Sequence, residues 1–567
     1  MPPSFVTGLK FMGAGMTSGE HGVDVMAQPQ PGVEEFRSLP RRQVVLTMGG
    51  VLLGLFLAAL DQTVVGTAMP RIIADLGGFD RFTWVTSSYL VASTATVPIV
   101  GRLTDLYGRK AFYVAGLIVF LAGSVMSGLS GTMNELIAFR AVQGIGGGIL
   151  LALAFVVVGD LFPPAERGKY QGVVAAVFGL SSVIGPTLGG AITDNLSWHW
   201  VFFLNVPLGV PLVLLFVRFF PSTRPSGHRP RLDVIGIVTL VLAVVPLMLA
   251  FSWGGVQYAW GSAQVVGAFV LAGVATAAFI VAEVRAPDPI MPLAIYRNRV
   301  VSLSLFASFC TGFGMFGGII FIPLFFQGVL GASATSSGSF MTPMMLGVVV
   351  GATLAGQALS RLGGHYRLQG MLGVGIMAAG LFLISRMTPD TSHPRAVVNI
   401  VVMGFGLGNT FPVFTIAVQN AVPQSLLGIA TSATQFYRSI GGALGLAVLG
   451  SYMAGRFASH MSEGLSPQLR EAVPAEQLSG LARNPQALVN EDALAALQAS
   501  LGEGGADAGR QLLEVLRESL SSAITDIFVV GVLVALVAMV ATAFMKEIPL
   551  RTGRVAEDPV PPLAKRD

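Results

Sequence analysis

Long apolar runs dominate this chain of 567 residues and restrict the structures that it can form. A helix needs about 20 apolar residues to cross roughly 30 Å of hydrocarbon, because each residue advances it by about 1.5 Å. Fourteen stretches meet that requirement and predict an all-α integral membrane protein. They lie at about 43–68, 83–103, 111–130, 134–159, 168–192, 199–220, 232–252, 263–283, 300–328, 335–361, 366–386, 394–420, 425–454 and 520–545.

The composition agrees with a membrane protein. Charged residues make up only 11% of the chain, compared with about 25% in soluble domains, and the mean hydropathy is +0.71. The chain also has 70 glycines, and in a bilayer such small residues let helix backbones approach each other. We therefore expect a closely packed helical bundle.

The basic residues predict the orientation. With the N-terminus inside, nineteen lysines and arginines lie on cytoplasmic segments, whereas only Arg71, Arg81, Arg386 and Arg395 lie outside. Because short cytoplasmic loops carry the excess of positive charge, both termini are predicted to be cytoplasmic. The protein is expected to be a multi-pass protein of the cell (inner or plasma) membrane.

Three polar segments flank or interrupt the spans. Residues 1–42 and 546–567 are predicted to be cytoplasmic tails, the first of them disordered and without the pattern of a cleavable signal. The extracytoplasmic segment 455–519 carries nine acids and five arginines, with apolar residues at helical spacing. It is interpreted as a solvated cap of short amphipathic helices, with docking of a partner or handling of lipid as the alternatives.

One carboxylate lies deep inside the first apolar stretch. Asp61 has no charged neighbour in VLLGLFLAALDQTVVGTAM, residues 51–69. A central charge costs roughly 2.5–3.5 kcal/mol on insertion scales, so such groups usually mark an ion or substrate pathway. Asp61 is therefore a candidate proton site, and Arg140 in the fourth stretch lies at the same depth, roughly 9–13 Å below the outer boundary.

Several other kinds of chemistry have no counterpart in the sequence. No GxxxxGKS or GxxxxGKT pattern is present to hold nucleotide phosphates, and the six histidines lack metal-ligand spacing. The single cysteine, Cys310, lies in an apolar run and is interpreted as a small core residue. We predict that the chain is not an enzyme, uses no cofactor or metal, and binds no nucleic acid.

The loop after the second stretch reads GRLTDLYGRK, residues 101–110. Gly101 and Gly108 permit tight turns, and Asp105 lies within reach of Arg102 and Arg109. Asp105 is also placed to face the N-terminus of a neighbouring helix, where a carboxylate is favoured. This cluster predicts a conformational latch rather than a solvated loop.

This loop resembles the signature cytoplasmic loop of the major facilitator superfamily. Four further motifs are similar to helix motifs of its fourteen-span drug:proton antiporters. They are LDQTVVGTAMPRI (60–72), RAVQGIGGG (140–148), GLSSVIGPTLGG (179–190) and WHWVFFLNVPLG (198–209).

The resemblance implies a fold and an energy source. It predicts two six-helix bundles, residues 43–220 and 300–545, joined by two extra helices within 232–283, in a carrier driven by the proton gradient. RAVQGIGGG and RSIGGALG are loosely alike, as expected if the halves are repeats. The resemblance also implies that Arg140 tunes the protonation of Asp61. A static ion pair that only fixes helix packing is the alternative.

Four residues of the fifth stretch are candidates for a hinge. Pro186 removes a backbone hydrogen bond, and Gly185, Gly189 and Gly190 leave a smooth, bendable face. Close packing against another helix is an alternative that does not exclude a hinge.

Polar residues within the stretches are candidates for the substrate cavity, although such a residue taken alone more often makes a packing hydrogen bond than it binds a ligand. Arg438 lies near mid-depth and is expected to contact a carbonyl or a helix end, because stretches seven to thirteen contain no mid-membrane acid. The candidates are Gln62, Thr63, Tyr89, Gln143, Asn205, Gln327, Gln357, Asn409, Gln419, Gln435, Tyr437 and Arg438.

These observations predict a proton-coupled exporter that works by alternating access. Its partners would be protons, membrane lipids and a small hydrophobic or amphiphilic substrate, and a monomer is expected. Because the second half lacks a mid-membrane acid, hydrophobic, zwitterionic or lipid-like substrates are favoured as much as dications. A passive channel or uniporter, and a membrane sensor or scaffold, remain as alternatives of other classes.

Overall fold

The structure is a computed structural model that describes residues 39–77, 81–221, 231–255, 257–330, 334–361, 364–467, 469 and 506–550. Its long helices are numbered α1 to α14, and thirteen of them are long and apolar enough to cross a membrane, while α2 is less apolar. They are α1 Arg41–Leu76, α2 Thr83–Tyr107, α3 Arg109–Gly128, α4 Met133–Leu161, α5 Pro164–Asn195, α6 His199–Phe219 in two pieces that meet at Leu204, α7 Val234–Trp253, α8 Ala263–Arg285, α9 Arg299–Gly328, α10 Ala334–Arg361, α11 Tyr366–Ser385, α12 His393–Ala421, α13 Leu427–Gly464 and α14 Ala506–Ala543.

The predicted all-helical membrane architecture is thereby confirmed, and the helices form two bundles with the same internal packing. In the first bundle α1 packs against α5 and α2 against α4. In the second bundle α9 packs against α13 and α10 against α12. The similar runs RAVQGIGGG and RSIGGALG do not occupy equivalent positions, because Arg140 lies on the fourth helix of its bundle and Arg438 on the fifth.

Helices α7 and α8 are the two extra helices, and they pack against each other. α7 also contacts α2 and α13, one helix from each bundle. Leu240 and Val244 of α7 share a buried apolar cluster with Val91 of α2 and Phe436 of α13. The extra pair is therefore attached where the two bundles meet.

We call the end of the bundles that holds Arg109, Arg167 and Arg299 the basic end, and the opposite end the far end. Residues 546–550, predicted to belong to a polar tail, pack at the basic end. The Tyr366 hydroxyl donates to the carbonyl of Lys546 at 3.0 Å, and Leu550 is buried. The tail therefore begins later than predicted, because this short stretch finds apolar and hydrogen-bonding partners.

At the far end, α13 and α14 run beyond the predicted spans. Phe457 and Met461 of α13 are buried in the same cluster as Leu512 and Leu516 of α14. Apolar residues at helical spacing on α13 and α14 pack against each other and extend the helix pair beyond the predicted spans. The centre of the predicted 455–519 insertion, residues 470–505, lies outside the described residues.

Candidate functional site

Asp61 lies in the interior of the first bundle, where three side chains donate to its carboxylate. Arg140 Nη1 lies 2.5 Å from Oδ2, and Gln143 Nε2 lies 2.8 Å from Oδ1. Asn205 Nδ2 also donates to Oδ1 at 3.1 Å. The four side chains come from α1, α4 and α6, and none is more than 2% exposed. The structure therefore brings the two predicted coupling residues into direct contact.

The Arg140 guanidinium has partners on every side. Its Nε donates to the carbonyl of Val85 at 3.3 Å, and Nη1 also donates to Gln143 Oε1 at 2.7 Å. Its central carbon lies 4.4 Å from the centre of the Tyr89 ring, within the range of a cation–π contact. Asn205 in turn donates to Ser124 Oγ at 2.9 Å. This dense network compensates both charges of the buried pair.

In this arrangement, protonation of Asp61 is coupled to the packing of the helices around it. The Asp61 carboxylate is buried against a guanidinium and two amides, and all three donate to it. If Asp61 takes up a proton, it loses the charge attraction to Arg140, and the donors must find other acceptors. Protonation of this one group therefore changes the contacts between α1, α4 and α6.

The predicted latch residues meet at the basic end and reach across to the second bundle. Asp105 accepts from the backbone amides of Gly428 and Ile429, both at 3.0 Å, at the N-terminus of α13. Arg109 Nη2 donates to the same carboxylate at 2.7 Å. Gly108 has a φ of 91°, which turns the chain sharply between α2 and α3. The Asp105 carboxylate thus caps a helix of the other half.

The remaining latch residues support this contact. Arg102 Nε donates to the carbonyl of Pro289 at 2.9 Å, in the segment between α8 and α9. Gly101 lies against Ser432 and the backbone of Gly428, so a side chain at position 101 would overlap α13. Gly101 is therefore needed for the close crossing of α2 and α13.

Two charged residues at the basic end were not singled out from the sequence. Asp160 Oδ2 accepts from Arg109 Nε at 2.9 Å, at the end of α4. Arg167 Nη2 donates to the carbonyl of Gly159 at 2.7 Å, and its Nη1 lies 3.3 Å from Gln419 Oε1 of α12. The signal that could have identified both residues is the run GDLFPPAERG (159–168), which carries three charges between two apolar stretches.

A second crossing at the basic end joins α5 to α10. Gly168 and Gly356 lie backbone against backbone, and a Cβ on either would overlap the other residue. Gly172 packs in the same way against Thr353, one turn further along. The two bundles are thus joined at the basic end by a pair of glycine crossings, α2 with α13 and α5 with α10.

The predicted hinge residues lie along the contact of α5 with α1. Gly185 packs against Thr63, and Gly189 packs against Thr67 and Val64. Pro186 lies inside a continuous α5, while Gly190 faces open space. Thr63 Oγ1 also donates to the carbonyl of Ser181 at 3.1 Å. Close packing against α1 is therefore observed here, and the hinge stays a prediction.

The substrate candidates fall into different environments. Tyr89 and Gln143 are buried in the Asp61 network rather than lining a cavity, whereas Gln62 is exposed. Asn409 is buried against Gly373 of α11. Gln327, Gln357 and Tyr437 are half-buried, and the Tyr437 hydroxyl donates to that of Tyr296 at 3.4 Å.

Arg438 does not make the carbonyl or helix-end contact expected from the sequence. Its Nη1 donates to Gln435 Oε1 at 3.0 Å, and its central carbon lies 4.1 Å from the centre of the Phe411 ring. The side chain is 1% exposed. Among the described residues, its Nε and Nη2 have no acceptor. The expectation failed because α12 presents an aromatic ring, not a free carbonyl, to this position.

Comparison with known proteins agrees with this architecture. The chain matches the family model of the Major Facilitator Superfamily over residues 51–446. It is 39% identical over 529 residues to "Multidrug transporter protein MdtP" of Bacillus subtilis, covering 91% of this chain and 95% of that protein. It is also 39% identical over 506 residues to "Multidrug resistance protein 3" of the same organism, covering 89% of this chain and 95% of that one.

A solved structure supports the fold alone. The human organic anion transporter MFSD10 (TETRAN) superposes with a TM-score of 0.57 and covers 88% of this chain and 100% of its own. The two sequences are only 15% identical. The likeness therefore concerns the arrangement of the helices and not the substrate.

Proposed function

Because this chain belongs to the major facilitator superfamily, we propose that it is a proton-coupled exporter of hydrophobic or amphiphilic small molecules. The family and the fold point to a transporter rather than an enzyme. Two relatives at 39% identity are named for multidrug transport or resistance. The observation that carries proton coupling is the Asp61 carboxylate, buried in α1 and paired with Arg140.

The proton step follows from that pair. Asp61 takes a proton from the outside, and its attraction to Arg140 is lost, so the contacts of α1 with α4 and α6 loosen. Substrate leaves to the outside in this state. Release of the proton to the cytoplasm restores the ion pair and resets the carrier. Asp61 is therefore the coupling residue, and Arg140 is the residue that sets its proton affinity.

The crossings at the basic end provide the matching conformational step. We assign the basic end to the cytoplasm, because the excess of lysine and arginine marks that side. The contacts of Asp105 with α13 and of Gly168 with Gly356 join the bundles there. Alternating access requires these contacts to break when the cytoplasmic side opens. The latch therefore stabilises the state that is closed to the cytoplasm.

Transport by purified protein in inverted vesicles tests the proposal, with N-phenyl-1-naphthylamine as an uncharged fluorescent hydrophobic probe. We expect a pH gradient to drive uptake by the parent protein, and Asp61→Asn to reduce it to the level of protein-free vesicles. Asp75→Asn is the matched control, because Asp75 lies on the same helix but is exposed at the far end. Uptake by Asp61→Asn at the parent rate would disprove the assignment.

Proton release distinguishes an exporter from a passive pore. When N-phenyl-1-naphthylamine is added to the detergent-solubilised protein in weak buffer, a coupled antiporter displaces protons from Asp61, and a pore or uniporter displaces none. The Asp61→Asn variant serves as the baseline. Equal proton release from parent and variant would assign the protons to another group.

A further inference from the structure

The Arg438 guanidinium is the buried charge that the proton step does not use. It lies on α13 in the second bundle and is 1% exposed. Asp61 and its partners belong to the first bundle. A buried charge is costly unless it is paired, so this residue needs an explanation of its own.

The geometry of the guanidinium shows which part of it is free. Nη1 donates to Gln435, and the ring of Phe411 covers the face of the group. The two nitrogens that have no acceptor among the described residues are Nε and Nη2. Their N–H groups point in the same direction and form one edge of the planar fork. That edge fits the two oxygens of a carboxylate with two parallel hydrogen bonds.

The second bundle has no acid to place there. Between residues 299 and 462 the only acidic residue is Asp390, in the loop between α11 and α12 at the far end. The surroundings of Arg438 in the chain are otherwise neutral, TSATQFYRSIGGALG. A negative partner for Arg438 must therefore come from outside α9 to α13.

We propose that the free edge of Arg438 binds the carboxylate of an amphiphilic substrate. The inference rests on the proposed export function and names the substrate class for it. A singly charged carboxylate neutralises the single charge of Arg438. The apolar part of the substrate packs against Phe411 and the residues next to it. A cationic or zwitterionic ligand would bring an ammonium group, and between residues 299 and 462 the only carboxylate is that of Asp390 at the far end. The half-buried Gln435 and Phe411 mark the side from which a ligand approaches.

Binding measurements on the purified full chain in nanodiscs test this proposal without any proton gradient. The probes are laurate, methyl laurate, dodecyl phosphate and dodecyltrimethylammonium at one pH. We expect laurate to bind at least about tenfold more tightly than its methyl ester, because only the acid can accept from both N–H groups. Equal affinities for the acid and the ester would overturn the proposal.

Two variants locate the preference. Arg438→Met removes the guanidinium. Gln435→Glu has almost the same size as the parent side chain but places a carboxylate beside Arg438, which competes with the carboxylate of the ligand. We expect both to lose the preference for laurate over its ester. Arg285→Met is the control, because Arg285 is exposed at the end of α8. If Gln435→Glu folds and retains the preference, Arg438 is not the carboxylate site.

The remaining outcomes distinguish a carboxylate site from a phosphate site or a cation site. Binding of dodecyl phosphate without laurate would assign the site to a phosphate headgroup and overturn the carboxylate proposal. Tightest binding of dodecyltrimethylammonium would also overturn it. Because Asp61→Asn is expected to keep the preference for laurate, loss of proton coupling and loss of carboxylate recognition are distinguishable results.

Discussion

The two bundles each bury one arginine at mid-membrane depth, but they treat its charge in opposite ways. Arg140 donates to Asp61, Gln143 and the carbonyl of Val85. Arg438 donates to Gln435 and stacks on Phe411, and two of its nitrogens have no acceptor in the described part of the chain. The first bundle thus contains a self-sufficient ion pair, and the second contains a buried positive charge without a carboxylate partner among the described residues.

The crossings at the basic end differ in a similar way. Where α2 meets α13, Asp105 adds a charged contact to the close approach of Gly101. Where α5 meets α10, Gly168 and Gly356 meet through their backbones. The corresponding turns, at Gly108 and Gly364, both have a positive φ, 91° and 87°. The turn with a positive φ is therefore present in both bundles, whereas the charged contact of Asp105 is made by the first bundle.

Removal of each arginine is the strongest test of the first comparison. Arg140→Met leaves Asp61 buried without its ion pair and should destabilise the protein by about 3–5 kcal/mol. Arg438→Met removes an uncompensated charge, and its effect should be neutral or stabilising. Thermal unfolding of the two purified variants in the same detergent measures this. The double variant Asp61→Asn with Arg140→Met should recover most of the loss, and equal destabilisation by both arginine changes would contradict the comparison.

A methyl group at the α5–α10 crossing tests the second comparison. Gly168→Ala places a Cβ against the Gly356 backbone, and such overpacking typically costs about 1–3 kcal/mol. We expect this cost to fall on the state closed at the basic end and to slow transport of N-phenyl-1-naphthylamine about tenfold or more. Gly190→Ala is the control, because position 190 faces open space. Unchanged transport by Gly168→Ala would show that the crossing adapts without strain.

Loss of the Asp105 charge should have a smaller effect. In Asp105→Asn a single carbonyl oxygen replaces the two oxygens that accept from the Gly428 and Ile429 amides, so one of these hydrogen bonds is lost. The negative charge at the N-terminus of α13 is lost as well, and the combined effect is about 1–2 kcal/mol. The labelling rate of a cysteine placed at Ser432, in a Cys310→Ser background, reports opening of this crossing. We expect it to rise roughly five- to thirty-fold. Asp288→Asn, in the loop between α8 and α9 where Asp288 accepts from the Arg231 amide, should leave the rate as it is.

Much of the site could be predicted from local sequence, because an isolated charge in an apolar stretch is conspicuous. Asp61, Arg140, Asp105 and Arg438 were all singled out in this way. The side-chain amides around them were harder to interpret. From the sequence alone, a glutamine such as Gln143 could pair with a charge, pack against another helix or bind a substrate. Gly168 and Gly356 gave no signal as a pair, since the chain has many glycines and only packing shows which two meet.

The sequence by itself determined that this chain is a bundle of membrane helices with one isolated acid deep inside an apolar stretch, because the length, polarity and motifs of each stretch are local properties. Only the tertiary structure decided which charges are compensated. Asp61 and Arg140 are 79 residues apart, and Asp105 and the Gly428 amide are 323 apart. Whether a buried charge has a partner depends on how distant helices pack, and this is why Arg140 is satisfied while Arg438 keeps an open edge.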